Sequence, residues 1–238
     1  MPALSDKAPT RPIRSYVLRA GRITPAQERA LSELWPRYGV DFQNSQLELS
    51  ALFGRKAPVT LEIGFGNGEH LLRRASAEPE RNFLGVEVHR PGIGHLLLAA
   101  GRVGLNNLRI IAHDAVEVLE RQIAAGSLDE VQLLFPDPWP KKRHHKRRLV
   151  QPAFIDLVAS RLARGGRLYI ATDWQSYAEQ MRLDLEACSA LKNCSEPGAS
   201  TPALADHTEA NHQPTRFERR GTRLGHQIHR LLYAHVGD

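Results

Sequence analysis

The chain has little cysteine. Cys188 and Cys194 are too few for a disulfide framework or a cysteine-based zinc site. Its eleven histidines fall in no H-x-x-x-H or H-E-x-x-H pattern, so no metal site is expected. Long apolar runs are also missing: none approaches the roughly 18 residues of a membrane helix. The opening MPALSDKAPTRPIRS lacks the apolar core of a secretory leader, and Asp6 with three prolines opposes an amphipathic transit helix. A cytoplasmic protein without membrane association is the expectation. Internal repeats and low-complexity blocks are absent too.

What is present is a globular composition, 42% hydrophobic and 24% charged, and 238 residues suit one sizeable core. The net charge is +6, and its distribution matters more than its size. Positions 141–148, KKRHHKRR, hold six Lys/Arg in eight residues. Taken alone, such a run suits a nuclear localisation signal or a solvated face as well as a polyanion-docking strip.

Residues 1–20 are rich in proline and arginine without periodicity, and read as a flexible basic arm. Its Arg11, Arg14 and Arg19, with Arg22 just beyond, suit ordering on RNA. Residues 21–238 read as a single domain. Thr24 and Pro25 look like the cap and first turn of a helix, TPAQERALSELWPRYG, closed by Gly39. A second short helical stretch lies near 45–53.

A regular alternation then begins. Strand-like runs stand at 59–64, 83–88, 108–113, 130–135 and 167–172, and helical patterns at 68–77, 91–103, 115–125 and 149–163 separate them. That order predicts an α/β fold, doubly wound, with a mostly parallel sheet and helices on both faces. GHQIHRLLYAHV adds an antiparallel C-terminal strand, and residues 193–214 read as a long loop.

After the first strand comes Gly64-Phe65-Gly66-Asn67-Gly68, where glycine lets backbone turn sharply and approach a ligand. The third glycine falls one residue earlier than in G-x-G-x-x-G, and a plain structural turn explains the motif nearly as well. Glu87 ends the second strand about 20 residues on, the separation at which a carboxylate meets ribose hydroxyls. Asp114 ends the third strand and Asp137 follows the fourth, so these acids converge on the carboxyl edge of the sheet. Asp114-Ala-Val-Glu117 is equally a capping box. Glu62, inside LEIG, needs a partner if it is buried, and a ligand amine would supply one. Three acids on successive strand ends, with no Walker lysine, suit an adenosyl group better than a triphosphate.

Pro136-Asp137-Pro138-Trp139-Pro140 carries the chemistry best. Three prolines remove N–H donors and freedom, so a stiff loop presents a carboxylate and an indole. The basic run begins at once, at Lys141, so a polyanion docked there leaves its bases beside Asp137. Asp173, after the fifth strand, heads WQSYAEQM and reads equally as a helix cap or a substrate ligand.

Together, RSYVLRAGRITPAQ, LEIGFGNGEHL, FLGVEVHRPGIG, FPDPWPKKRHHKRRL, LYIATDW and PTRFERRGTRLGH resemble the tRNA (guanine-N7-)-methyltransferase family over residues 12–238. The resemblance implies a fold of the class I S-adenosylmethionine-dependent methyltransferase type. It implies S-adenosylmethionine as cofactor and guanine 46 in the variable loop of tRNA as substrate; monomer and homodimer both stay open. By the same resemblance Glu62, Glu87, Asp114 and Asp137, with the Gly64 and Gly66 turn, are cofactor positions, and Asp137 is also catalytic. Lys141, Asp173, Thr215, Arg216, Phe217 and Glu218 match substrate positions. Arg143, His144, His145, Lys146, Arg147 and Arg148 match the RNA-interaction region. The stretch before Pro214 departs from the family pattern.

Three other readings compete. An amino-group methyltransferase carries an Asn/Asp-Pro-Pro-aromatic loop, but here the aromatic falls one residue early. A basic RNA-binding or chaperone module has no need of Glu62, Glu87, Asp114 and the glycines. An NAD dehydrogenase has a different glycine spacing.

Overall fold

The computed structural model describes residues 15–16, 21–194 and 215–237, and of Arg216 and Phe217 the backbone alone. Most of the expected arm, including Arg11, Arg14 and Arg19, lies outside the described residues, as do positions 195–214 of the expected loop.

The strands are β1 (Gly39–Val40), β2 (Val59–Ile63), β3 (Asn82–Val86), β4 (Leu108–Ile111), β5 (Leu128–Leu134), β6 (Leu162–Thr172), β7 (Leu191–Asn193) and β8 (His229–His235). They form one sheet in the order β1-β4-β3-β2-β5-β6-β8-β7. Pairing is parallel from β1 to β6; β8 runs antiparallel to β6, and β7 antiparallel to β8. β2 and β3 are buried at every position, as strands covered on both faces must be.

Helices α4 (Glu69–Ala77) and α5 (Arg90–Val103) connect β2, β3 and β4. From β4 the chain returns through α6 (Ala115–Arg121) to β5, and through α7 (Pro152–Arg161) to β6. The two larger buried clusters among the described residues form where these helices meet the sheet. Ile93, Leu96 and Leu97 of α5 pack with Leu71, Phe83 and Ile110 in one, while Val118, Ile155 and Val158 join Leu61, Leu84 and Val131 in the other. Strand order reverses direction between β2 and β5, which is where a doubly wound sheet opens a crevice at its carboxyl edge.

Local signals set the boundaries. Thr24 and Gln27 form a reciprocal capping box at the start of α1 (Pro25–Glu33). The single helix expected through Gly39 instead breaks at Leu34 and resumes as α2 (Trp35–Tyr38). Pro36 has no N–H to continue the ladder from α1. Gly39 and Val40 then add the edge strand beside β4, and α3 (Leu49–Phe53) falls within the expected short helical stretch. Later come α8 (Gln175–Glu186) and α9 (Arg216–Arg223). Among the described residues no helix is long and apolar enough to cross a membrane.

Candidate active site

The turn from β2 into α4 lies at the crevice. Gly64 and Gly68 have φ of 71° and 75°, a region that side chains rarely enter. A Cβ at Gly68 would lie 2.8 Å from Leu96, whereas at Gly64 it would meet nothing within 4 Å. The first glycine therefore faces open space, and the last fits α4 tightly against α5.

Glu62 is 2% exposed and finds its partner within the protein: His70 Nδ1 on α4 lies 2.9 Å from its Oε2. Glu87 ties the turn to the next one. Its Oε2 accepts from Gly66 N at 2.8 Å, and its Oε1 accepts from Val88 N at 2.7 Å and His89 N at 3.0 Å. Asp114 caps α6 through Oδ1, which accepts from Val116 N at 2.8 Å and Glu117 N at 3.5 Å. The other half of that capping box does not form, because Glu117 pairs with His113, whose ring stacks on Phe42 at 3.7 Å. Asp114 Oδ2 has no hydrogen bond among the described residues.

These positions fit an adenosyl cofactor with an amino-acid tail. The space over Gly64 admits it, Asp114 keeps an acceptor oxygen, and buried Glu62 suits an ammonium.

The loop after β5 is strained. Phe135 and Trp139, with φ of 54° and 45°, are the only non-glycine residues at positive φ among those described. Each such position costs about 1–3 kcal/mol and persists only where its surroundings over-determine it. Here they do. Phe135 N donates to Ala171 O at 2.8 Å, Trp139 Nε1 donates to Ser15 O at 3.1 Å, and Arg148 Nε donates to Pro138 O at 2.9 Å. Asp137, at the centre, is exposed. Trp139 is packed, with the Arg147 guanidinium over its ring at 5.1 Å and the His144 edge at 6.0 Å.

The basic run divides. Lys142–Arg147 form a 3-10 helix in which Lys142, Arg143 and Lys146 are exposed, as is the preceding Lys141. His144, His145 and Arg147 are partly covered. Arg148 departs from the expected RNA-facing role. It is 4% exposed and turns inward, over the Tyr177 ring at 4.6 Å, with Nη1 donating to Gln180 Oε1 at 3.2 Å. It staples the Asp137 loop to α8, and burial pulls its pKa down. Burial likewise pushes the Tyr177 hydroxyl up to about 12, and Asp137 adds to that rise.

The substrate-matched residues also divide. Asp173 does not cap α8, whose cap residue is Trp174. Its Oδ2 meets His226 Nδ1 at 3.1 Å, and it lines a cleft of about 580 Å³ with Trp174, Gln175, Glu179 and His229. Thr215 caps α9, its Oγ1 accepting from Glu218 N at 3.1 Å. Glu218 departs from an open substrate position: it is 5% exposed and pairs with Arg230 of β8. That pair anchors α9 to the sheet. Two features carried no reading in the sequence, His70 on Glu62 and α9 itself. The eight-residue step from Glu62 to His70 crosses from strand to helix and belongs to no single period.

The family model described as "Putative methyltransferase" matches residues 56–231. A protein of Halorhodospira halophila named tRNA (guanine-N(7)-)-methyltransferase is 53% identical over 94% of this chain and 95% of its own length. One of Leifsonia xyli with the same name is 54% identical over 96% and 98%. Among solved structures, the antibiotic-resistance methyltransferase Kmr aligns over 80% of this chain and 92% of its own, with TM-score 0.54 and 16% identity. The 16S rRNA methyltransferase KamB aligns over 82% and 95%, with TM-score 0.52 and 17% identity, so both speak for the fold alone. Fold, crevice and relatives agree, and the chain belongs to the tRNA (guanine-N7-)-methyltransferase family.

Proposed function

We propose that the protein uses S-adenosylmethionine to methylate N7 of guanine 46 in the variable loop of tRNA, in the cytoplasm. The observation that carries the reading is the strained, three-point-anchored loop that holds Asp137 just past the carboxyl end of β5, the strand paired with β2 that leads into the glycine turn, and that runs directly into Lys141–Arg147. Family membership at over 50% identity supports it.

The cofactor, when bound, supplies an electrophilic methyl group on a sulfonium sulfur. Glu62, oriented by His70, would hold its ammonium, Glu87 its ribose hydroxyls and Asp114 its adenine amino group, over Gly64 and Gly66. Guanine N7 has an in-plane lone pair and no proton to lose, so no general base is required. The protein's task is placement and charge. Asp137, on a loop that cannot relax, orients the base edge and offsets the positive charge that the purine acquires. Lys141, Arg143 and Lys146 grip phosphates, which gives affinity without reading sequence. Asp173, which lines its cleft beside His226, serves a nucleotide next to the target. Drawing the guanine from its tertiary stack costs a few kcal/mol, which those contacts must offset.

The test uses unmodified tRNA transcripts with guanine or adenine at position 46 and methyl-labelled S-adenosylmethionine. Label recovered as 7-methylguanosine from the guanine transcript alone is expected. Label on an exocyclic amine would establish the amino-group enzyme instead, and bound tRNA without transfer would establish a binding module.

A further inference from the structure

Arg219, Arg220 and Arg223 lie along α9. Spacings of four and three residues put Arg219 and Arg220 on the same helical face as Arg223, so cations occupy a face where an amphipathic helix has apolar residues. The opposite face is the packed one: Glu218 is buried against Arg230, and a Cβ at Gly221 would lie 3.1 Å from Asp173. Arg219, Arg220 and Arg223 are exposed. Arg219 meets Glu69, the first residue of α4, at 3.5 Å. Arg220 and Arg223 have no ion pair among the described residues.

Like charges four residues apart destabilise a helix, so this face does not serve the stability of α9. Its neighbourhood offers an ion pair to Arg219, through Glu69. Burial lowers the pKa of Arg73, on the adjoining α4, and the charge of Arg219 lowers it further, against the pull of Glu62 and Glu218. The position is telling. α9 touches Asp173 at the end of β6 and Glu69 just past the glycine turn after β2, and β5, which carries the Asp137 loop, lies between those strands.

We propose that this arginine face is a second docking surface for the tRNA sugar-phosphate backbone, distinct from the 141–147 strip. It holds the strand on the far side of the modified nucleotide from that strip. A single strip fixes a strand at one point and leaves it free to swing. Two strips at one sheet edge fix the strand on both sides of the base that enters the crevice. This inference rests on the reading of the protein as a tRNA enzyme.

The experiment compares the full chain with Arg220→Gln/Arg223→Gln and Arg220→Lys/Arg223→Lys, measuring affinity for unmodified tRNA between 50 and 300 mM salt. Each phosphate contact contributes about 0.7–0.9 to the slope of log K against log salt. The glutamine pair is expected to flatten that slope by about 1.5, to raise the KM for tRNA about tenfold and to leave the KM for S-adenosylmethionine unmoved. The lysine pair retains the slope. An unchanged slope in the glutamine pair overturns the proposal, even if affinity falls, because the contact is then not ionic. Wild-type protein that neither binds nor methylates tRNA overturns the underlying reading instead, and that outcome is visible before any variant is made.

Discussion

The two edges of the sheet treat their acids differently. At the amino edge, Arg74 holds Glu78 at 2.6 Å and Glu130 at 2.9 Å, and Arg81 approaches both. Burial pulls the Arg74 pKa down, and its bonds to these two carboxylates more than reverse that. At the carboxyl edge, Glu62, Glu87 and Asp114 take N–H groups and one imidazole, and no arginine or lysine bonds to them among the described residues. One polar seam joins the edges: Thr60 and Glu62 on β2 pair with Glu130 and Gln132 on β5, beneath His70 and Arg74 one turn apart on α4. The same residue types thus make a closed ion network at one end and an anionic crevice at the other. A network matched charge for charge has nothing left for a ligand; a crevice of carboxylates stabilised by dipoles still attracts a cation.

The largest effect should come from opening the closed edge. Arg74→Met strips buried Glu130 of its hydrogen-bonded cation and leaves only Arg81, 3.7 Å away, and is expected to cost about 3–5 kcal/mol in denaturant unfolding. Next comes the open edge. Asp137→Asn should lower single-turnover methyl transfer about 10²–10³-fold while cofactor affinity changes far less; a near-normal rate would remove Asp137 from the chemistry. Arg148→Lys tests the staple. It keeps the charge but loses the guanidinium fork, so transfer rate should fall about tenfold with the KM for tRNA unchanged. Arg143→Ala, in the exposed part of the same run, should show the reverse split.

Much of this was legible in the sequence, because the deciding signals are local. The Thr24–Gln27 box, the glycine turn and the proline-rich loop each act within a few residues, and β2 and β3 stand out as short strand-like stretches just ahead of their helical patterns. What was not legible is non-local or too short to have a period. β1 has two residues and β7 three. α9 carries arginine where hydrophobic periodicity seeks leucine, so its helix went unread, although Thr215-x-x-Glu218 is a capping pattern. Six cations within eight residues look alike from sequence; that Arg148 turns inward depends on Tyr177 and Gln180, which only the fold brings near.

The smallest effect separates the two edges by pH. Burial and then the charges of Arg143, Arg147, Lys141 and Lys146 lower the pKa of His144 below the ordinary histidine value. The geometry agrees, since Arg143 Nε donates to His144 Nε2 at 3.4 Å and a protonated ring offers no acceptor there. A lowered pKa means the free protein holds His144 neutral at pH 7, so His144 adds no charge to the strip at neutrality. Docked phosphates screen those cations and raise the pKa, so binding takes up a proton where the two values differ. Affinity for tRNA should therefore rise a few-fold as pH falls from 7 to 5.5. His144→Gln should flatten that component and leave affinity at pH 8 unchanged. Imidazole NMR titrations with and without tRNA would read both pKa values directly, and a bound value no higher than the free one would show that phosphate does not reach His144.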